Sequence, residues 1–244
     1  MVLAALMALP ALAQTPEVKE KPRMYSYVAD WTIPRAQWGD VGKSNMSDES
    51  VYRKALEKGA LIGYGYDRSL LHQPDAPTHD NWFSSMSLAG LMEVLDGLNK
   101  MPDPPVILNS TKHSDGIYVS RYYNWKPGSY KDVYTQVSLY KLKADAADNA
   151  FDVLARNIIV PLMEKMLADG TIVEYEIDQE AFHTSDPNKF SLVYLAPKAE
   201  GLDKVHDAVR AAIAADPAAG VAFGASTDHT AHRDYLLRTE ATFK

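Results

Sequence analysis

One block of this sequence occurs twice, and that repeat constrains the fold more than anything else in the chain. Gly59-Ala60-Leu61-Ile62-Gly63-Tyr64-Gly65-Tyr66-Asp67-Arg68-Ser69-Leu70-Leu71-His72 aligns without a gap on Gly170-Thr171-Ile172-Val173-Glu174-Tyr175-Glu176-Ile177-Asp178-Gln179-Glu180-Ala181-Phe182-His183. Shorter matches follow in the same order. Asn81-Trp82-Phe83-Ser84 returns as Asn188-Lys189-Phe190-Ser191, Leu88-Ala89 as Leu195-Ala196, and Gly90-Leu91 as Gly201-Leu202. Ser110-Thr111-Lys112-His113 answers Ser226-Thr227-Asp228-His229, and Tyr118 and Arg121 answer Tyr235 and Arg238. Chance can produce one block but not an ordered series. The repeating unit is far longer than the roughly 20–50 residues of a solenoid repeat, so each copy is a half-domain.

Periodicity assigns the same elements to both copies. Aromatic and β-branched runs predict strands over 25–31, 61–67, 82–88 and 117–125, then 134–142, 171–178, 190–196 and 234–243. Helices are expected from an N-cap near Ser47 to Gly59, over 90–100, over 146–168 with a kink at Pro161, and over 202–215. Each half therefore reads β-α-β-β-α-β, the ferredoxin-like order. Two helices cover one face of such a sheet and leave the other open, and two tandem copies can bury those open faces against each other. In this order and repeat the chain resembles the dimeric α+β barrel superfamily in a single-chain, tandem form. The resemblance implies an α+β fold in which residues 24–126 form one half and 133–244 the other, joined by a hinge over 127–132. Two independent ferredoxin-like domains are the alternative.

The N-terminus reads differently. Residues 1–13 are apolar and end in Ala11-Leu12-Ala13, the small-x-small pattern of a secretory cleavage site, although no positive residue precedes the run. The run is too short for a membrane-spanning helix. The expectation is a signal peptide, a disordered leader over 14–23, and a periplasmic or secreted protein with no membrane attachment after cleavage. A net charge of −7 without a lysine-arginine cluster argues against a nucleic-acid partner. The absence of cysteine excludes disulfides, thiolate nucleophiles and cysteine-based zinc sites.

No signature of a particular chemistry is present. Gly63-Tyr64-Gly65 lacks the third glycine of a dinucleotide loop, and no HExxH or EF-hand pattern occurs, so neither a cofactor nor a metal is called for. Candidate site residues come from face analysis. Ile62, Tyr64 and Tyr66 share one strand face, as do Val173, Tyr175 and Ile177, and these should pack under helices. The opposite face carries Gly63 and Gly65 in one half but Glu174 and Glu176 in the other. If it looks between the sheets, the glycines leave room for a ligand and the glutamates supply acid-base groups. Arg121 and Arg238 would be their ionic partners if they point inward. The recurring histidines His72, His113, His183 and His229 fall near strand ends, where they could line a cavity mouth. Trp82 has no aromatic counterpart in the other copy and could shape a pocket.

The superfamily this chain resembles includes cofactor-independent monooxygenases, small-molecule isomerases and lyases, and tandem haem proteins with a single axial histidine. That resemblance implies four readings. The first is a barrel that binds a small molecule between its sheets. An enzyme on the same cavity is the second, with His183, Glu176 or Glu174 as acid-base groups. The third is a haem or metal protein using His183 or His229, and the fourth a structural protein whose inter-sheet space is filled. Fold alone does not choose among them.

Overall fold

The structure, a computed structural model, describes residues 18–74, 76–101, 111–184 and 187–244. The expected cleavage site and Ser110 lie outside the described residues. Eight strands are present: β1 Met24–Thr32, β2 Gly63–Ser69, β3 His79–Ser85, β4 Lys112–Trp125, β5 Gly128–Lys141, β6 Glu174–Glu180, β7 Lys189–Ala196 and β8 Arg233–Phe243. They form one closed barrel in the order β1-β3-β2-β8-β5-β7-β6-β4, every neighbour antiparallel. Strands β1–β4 are contiguous in that ring, as are β5–β8, and the two sets meet at β2–β8 and β4–β6.

The helices lie outside the barrel. They are α1 Val41–Lys58, α2 Leu88–Asn99, α3 Ala150–Leu154, α4 Val160–Ala168, α5 Ala199–Ala215 and α6 Pro217–Ser226. Gly59 and Gly170 follow α1 and α4 at φ 77° and 81°, a conformation that only glycine adopts without steric cost, and so turn the chain into β2 and β6 at matching places. Between α3 and α4 a π turn, Ala155–Ile159, replaces the expected kink. Pro161 has no N–H to give the carbonyl of Asn157, and the Val160 N–H reaches back to the Ala155 oxygen instead.

Period two along the strands sorts the side chains. Outward residues pack under helices in two clusters. Tyr64, Tyr66 and Phe83 meet Tyr52 of α1 and Leu91 of α2. Tyr175, Ile177 and Tyr194 meet Leu154, Met163 and Val205. A third cluster, with Val133, Leu195 and Phe243, fills one end of the barrel.

Three expectations are corrected, and one helix was not foreseen. The first helix starts at Val41, because the 3-10 turn Arg35–Asp40 leads straight into it, which leaves Ser47 inside the helix. The stretch expected as a hinge is strand: only Lys126 and Pro127 separate β4 from β5, and the irregularity of this stretch is a bulge near Asp132, whose φ is 55°. Helix α6 has no apolar periodicity to announce it. It forms because Asp216 accepts hydrogen bonds from the Ala218 and Ala219 N–H groups, Pro217 sits in the first turn, and alanines follow. Finally, the described part of the leader is held in place. The Lys21 N–H donates to the Arg121 carbonyl, and Glu20 pairs with Arg121 and Arg156. Among the described residues no helix is long and apolar enough to cross a membrane.

Candidate functional site

The inner face of the barrel encloses a cavity of about 270 Å³. An eight-stranded barrel is usually just wide enough for its own side chains to fill. Here short residues keep it open: Ser26, Ser84, Ser120 and Ser191 all sit on inward positions.

Carboxyl groups dominate the wall. Asp30, Asp80 and Asp67 are direct cross-strand neighbours on β1, β3 and β2, forming a row around the ring. Glu174, Glu176 and Asp178 form a column along β6. Among the described residues no lysine, arginine or histidine lines the cavity. Neutral partners satisfy some of the oxygens. Ser120 donates to Asp178, and Ser26 lies 2.8 Å from Ser84 and donates to Glu176 at 3.5 Å. Asp67 is hydrogen-bonded by Asp80, Thr239 and Trp82. Three oxygens have no partner: Asp67 Oδ1, Asp80 Oδ1 and Glu174 Oε2.

Burial without counter-charge fixes the ionisation of this set. A buried carboxylate loses its hydration, and neighbouring carboxylates repel it, so the protonated form is favoured. Burial, then the charges of Asp115 and Asp67, pushes Asp30 up to about 6. Asp67 is also pushed up to about 6 by burial, against the opposing effect of its hydrogen bonds from Asp80, Thr239 and Trp82. Asp178 reaches about 6 in the same way, held down in part by Ser120 and Glu176. Asp80, Glu174 and Glu176 are pushed well above the usual carboxylate range by burial first and neighbouring carboxylates second. Burial first, and then the charges of Asp30, Asp178 and Glu180, raises the Tyr118 phenol to about 12. Burial and mutual repulsion thus favour the protonated form throughout the cavity, and three of its acids are pushed up to about 6.

One end of the barrel is aromatic. The Trp82 indole covers Gly65 so closely that a Cβ there would lie 2.5 Å from the ring, and Phe243 covers Gly63, where a Cβ would lie 2.8 Å away. The Trp82 and Phe243 rings are 5.6 Å apart, and Trp125 follows at 6.5 Å from Phe243, its indole N–H donating to the Lys244 carbonyl.

The expected site residues separate into two groups. Glu174, Glu176, Gly63, Gly65 and Trp82 come together on the inner face. The space left by the glycines, however, is taken by the protein's own rings, not kept for a ligand. The others lie outside. Arg121 ion-pairs with Glu20 and Asp152 on the helix side, and Arg238 stacks at 3.9 Å over Tyr134 and donates to the Asp132 carbonyl, so neither partners the glutamates. His72 packs on Trp38, His113 stacks on Trp31 4.5 Å away, and His183 and His229 are exposed. Face analysis missed Asp30, Asp67, Asp80 and Asp178. Asp67 and Asp178 were already visible as the aspartate recurring in both copies of the repeat, on the same strand face as the glycines and glutamates.

No known family model matches the sequence, and no curated protein is similar to it. Solved structures are. A proposed monooxygenase from Lactobacillus acidophilus superposes with a TM-score of 0.62 at 8% identity, over 91% of this chain and 97% of that one. A proposed monooxygenase from Fusobacterium nucleatum gives 0.62 at 9% identity, over 91% and 94%. A proposed chlorite dismutase gives 0.50 at 11%, over 92% and 96%. The fold is the dimeric α+β barrel, closed here within one chain. At such identities the likeness reaches no further than the fold. Among the described residues no histidine lines the cavity, and the space between strands and helices is packed with aromatic and aliphatic side chains, so these residues do not fit a haem. Among the described residues, no three acidic, histidine or cysteine side chains converge as metal ligands would.

Proposed function

We propose that this protein binds a small organic molecule inside the barrel, where the buried carboxyls serve as proton donors and acceptors. The observation that carries this reading is a cavity inside the barrel walled by acids, three of which are pushed up to about 6. General acid-base groups work best when their ionisation lies near the working pH, and burial is the usual means of putting a carboxyl there. Glu176 and Asp178 are hydrogen-bonded to each other, so one holds a proton that the other can take. Proton abstraction and return on a bound molecule is the chemistry that such a pair supports, as in a cofactor-independent isomerase, lyase or monooxygenase. The two proposed monooxygenases among the similar structures are in keeping with it. His183, exposed on the loop after β6, has no part in this version of the site.

Two further elements belong to the same reading. The barrel is a tandem ferredoxin-like duplication, supported by the matching strand orders β4-β1-β3-β2 and β8-β5-β7-β6. The protein is exported, on the strength of Ala11-Leu12-Ala13, and the mass of the mature chain from its own host should begin at Gln14. The cavity reading is tested by native mass spectrometry of that material. We expect a retained organic molecule, lost when Val193→Trp fills the cavity, with any turnover abolished by Asp178→Asn. Retention unaffected by the filled cavity would place the ligand elsewhere and overturn the proposal.

A further inference from the structure

Assuming that the cavity is a binding site, its wall also specifies the charge of what binds. The carboxyls of Asp67 and Glu174 are each only 6% exposed, and each turns one oxygen without any hydrogen-bond partner into protein interior, as does Asp80. A buried acceptor left unmatched costs roughly 1–3 kcal/mol, so three in one cavity call for a donor that the chain does not supply. The neighbouring elements supply no cationic one. Asp30 on β1, Tyr118 on β4, Glu176 and Asp178 on β6 and Tyr235 on β8 are the other titratable groups on the wall, while β5 and β7 contribute only neutral ones. An anion would meet six carboxyls and no cation.

The remainder of the wall describes the rest of the ligand. Trp82, Trp125 and Phe243 present aromatic surface at one end, with Val193 beside them. Ring faces attract cations and apolar bodies alike. A bare metal ion would make no use of them, and the carboxyls are spread along β6 and across β1–β3–β2, not gathered on one point. We propose that the ligand of the barrel interior is a small organic ammonium compound with an apolar, ring-sized body, its N–H groups donating to Asp67, Asp80 and Glu174 and its body lying against Trp82 and Phe243. Binding of the cation ionises an acid that is protonated in the empty barrel, so a proton leaves as the ligand enters.

The test uses three probes of one shape: benzylamine, benzyl alcohol and benzoate, titrated calorimetrically into the full-length protein. At pH 8 benzylamine should bind at least tenfold more tightly than benzyl alcohol, and benzoate should not bind. Benzylamine affinity should rise between pH 5 and pH 8. Near pH 6 its heat should vary with the ionisation enthalpy of the buffer, reporting the released proton. Asp67→Asn should weaken benzylamine tenfold or more and leave benzyl alcohol unchanged. Asp80→Asn serves as a second isosteric variant if Asp67→Asn does not fold. Equal or tighter binding of benzyl alcohol, abolished by Val193→Trp, would overturn the cationic ligand and leave the cavity reading standing. Benzylamine binding that survives Val193→Trp would overturn both. No binding of benzylamine, or its displacement by equimolar Ca²⁺ or Mg²⁺, would overturn the ammonium assignment alone.

Discussion

Strands β2 and β6 occupy equivalent places in the two halves, yet they furnish the barrel in opposite ways. Both carry an inward aspartate at the same point, Asp67 and Asp178. Before it, β2 presents Gly63 and Gly65 where β6 presents Glu174 and Glu176. On the glycine side the bare backbone is roofed by Phe243 and Trp82 from neighbouring strands, and on the glutamate side the strand supplies its own polar wall. One backbone geometry thus serves as a floor for aromatic rings in one half and as a source of protons in the other. The cavity lies where the two furnishings face each other.

The comparison breaks most visibly at the ring. Trp82→Ala should cost about 3–5 kcal/mol in chemical denaturation, the usual range for an aromatic lost from a core. Gly65→Ala should cost about 1–3 kcal/mol by overpacking against the same indole. Combined, the two should cost clearly less than their sum, because the added methyl then enters space the ring has vacated. Strict additivity would mean that Gly65 is bare for another reason.

The acidic wall answers to pH. Asp30, Asp67 and Asp178 hold their protons more tightly when folded, near pH 6, than when unfolded, near the ordinary 3.8. Their contribution is therefore complete below about pH 4 and is lost as pH rises through 6. A shift of about two units corresponds to about 3 kcal/mol for one such group. The melting temperature should accordingly fall by roughly 6–12 °C between pH 5 and pH 8. A flat or rising curve would contradict an uncompensated acid interior.

Glu174→Gln sharpens this further. It keeps the shape and removes the ionisation, so at pH 8 it should stabilise the protein by about 1–3 kcal/mol while changing little at pH 5. A loss at both pH values would show that the carboxyl has a partner within the barrel. The smallest effect is expected outside. Arg121→Ala removes half-exposed ion pairs to Glu20 and Asp152 and should cost at most about 1 kcal/mol. A cost of several kcal/mol would mean that the arginine neutralises the inner acids after all.

Much of this architecture was legible because the repeat states the element order twice, and because Tyr64, Tyr66, Tyr175 and Ile177 alternate strictly with the inward set. Glu174 and Glu176 followed from that alternation. Arg121 did not, because β4 carries a bulge against β6 between Ser120 and Tyr122. Counting back in twos from the inward Trp125 points Arg121 inward, and one extra residue reverses that direction. The histidines misled for a different reason. Recurrence in both copies marks the ends of strands, but the chain has already left the inner face before it reaches His72 or His183. Asp30 and Asp80 gave no repeat signal, since their importance comes from cross-strand pairing that only the closed ring creates.

That ring has a bearing on how the protein is made. Among the described residues, strand β8 follows the other seven in synthesis and joins β2 to β5. Until it emerges from the ribosome, β2 and β5 present open edges and the future interior stands in water with its acids ionised. Its insertion pairs both edges and expels that water in one movement, so the acids must take up protons from the medium as the barrel shuts. Closure of the nascent chain is therefore a proton-consuming event, favoured in mildly acidic surroundings and disfavoured in alkaline ones.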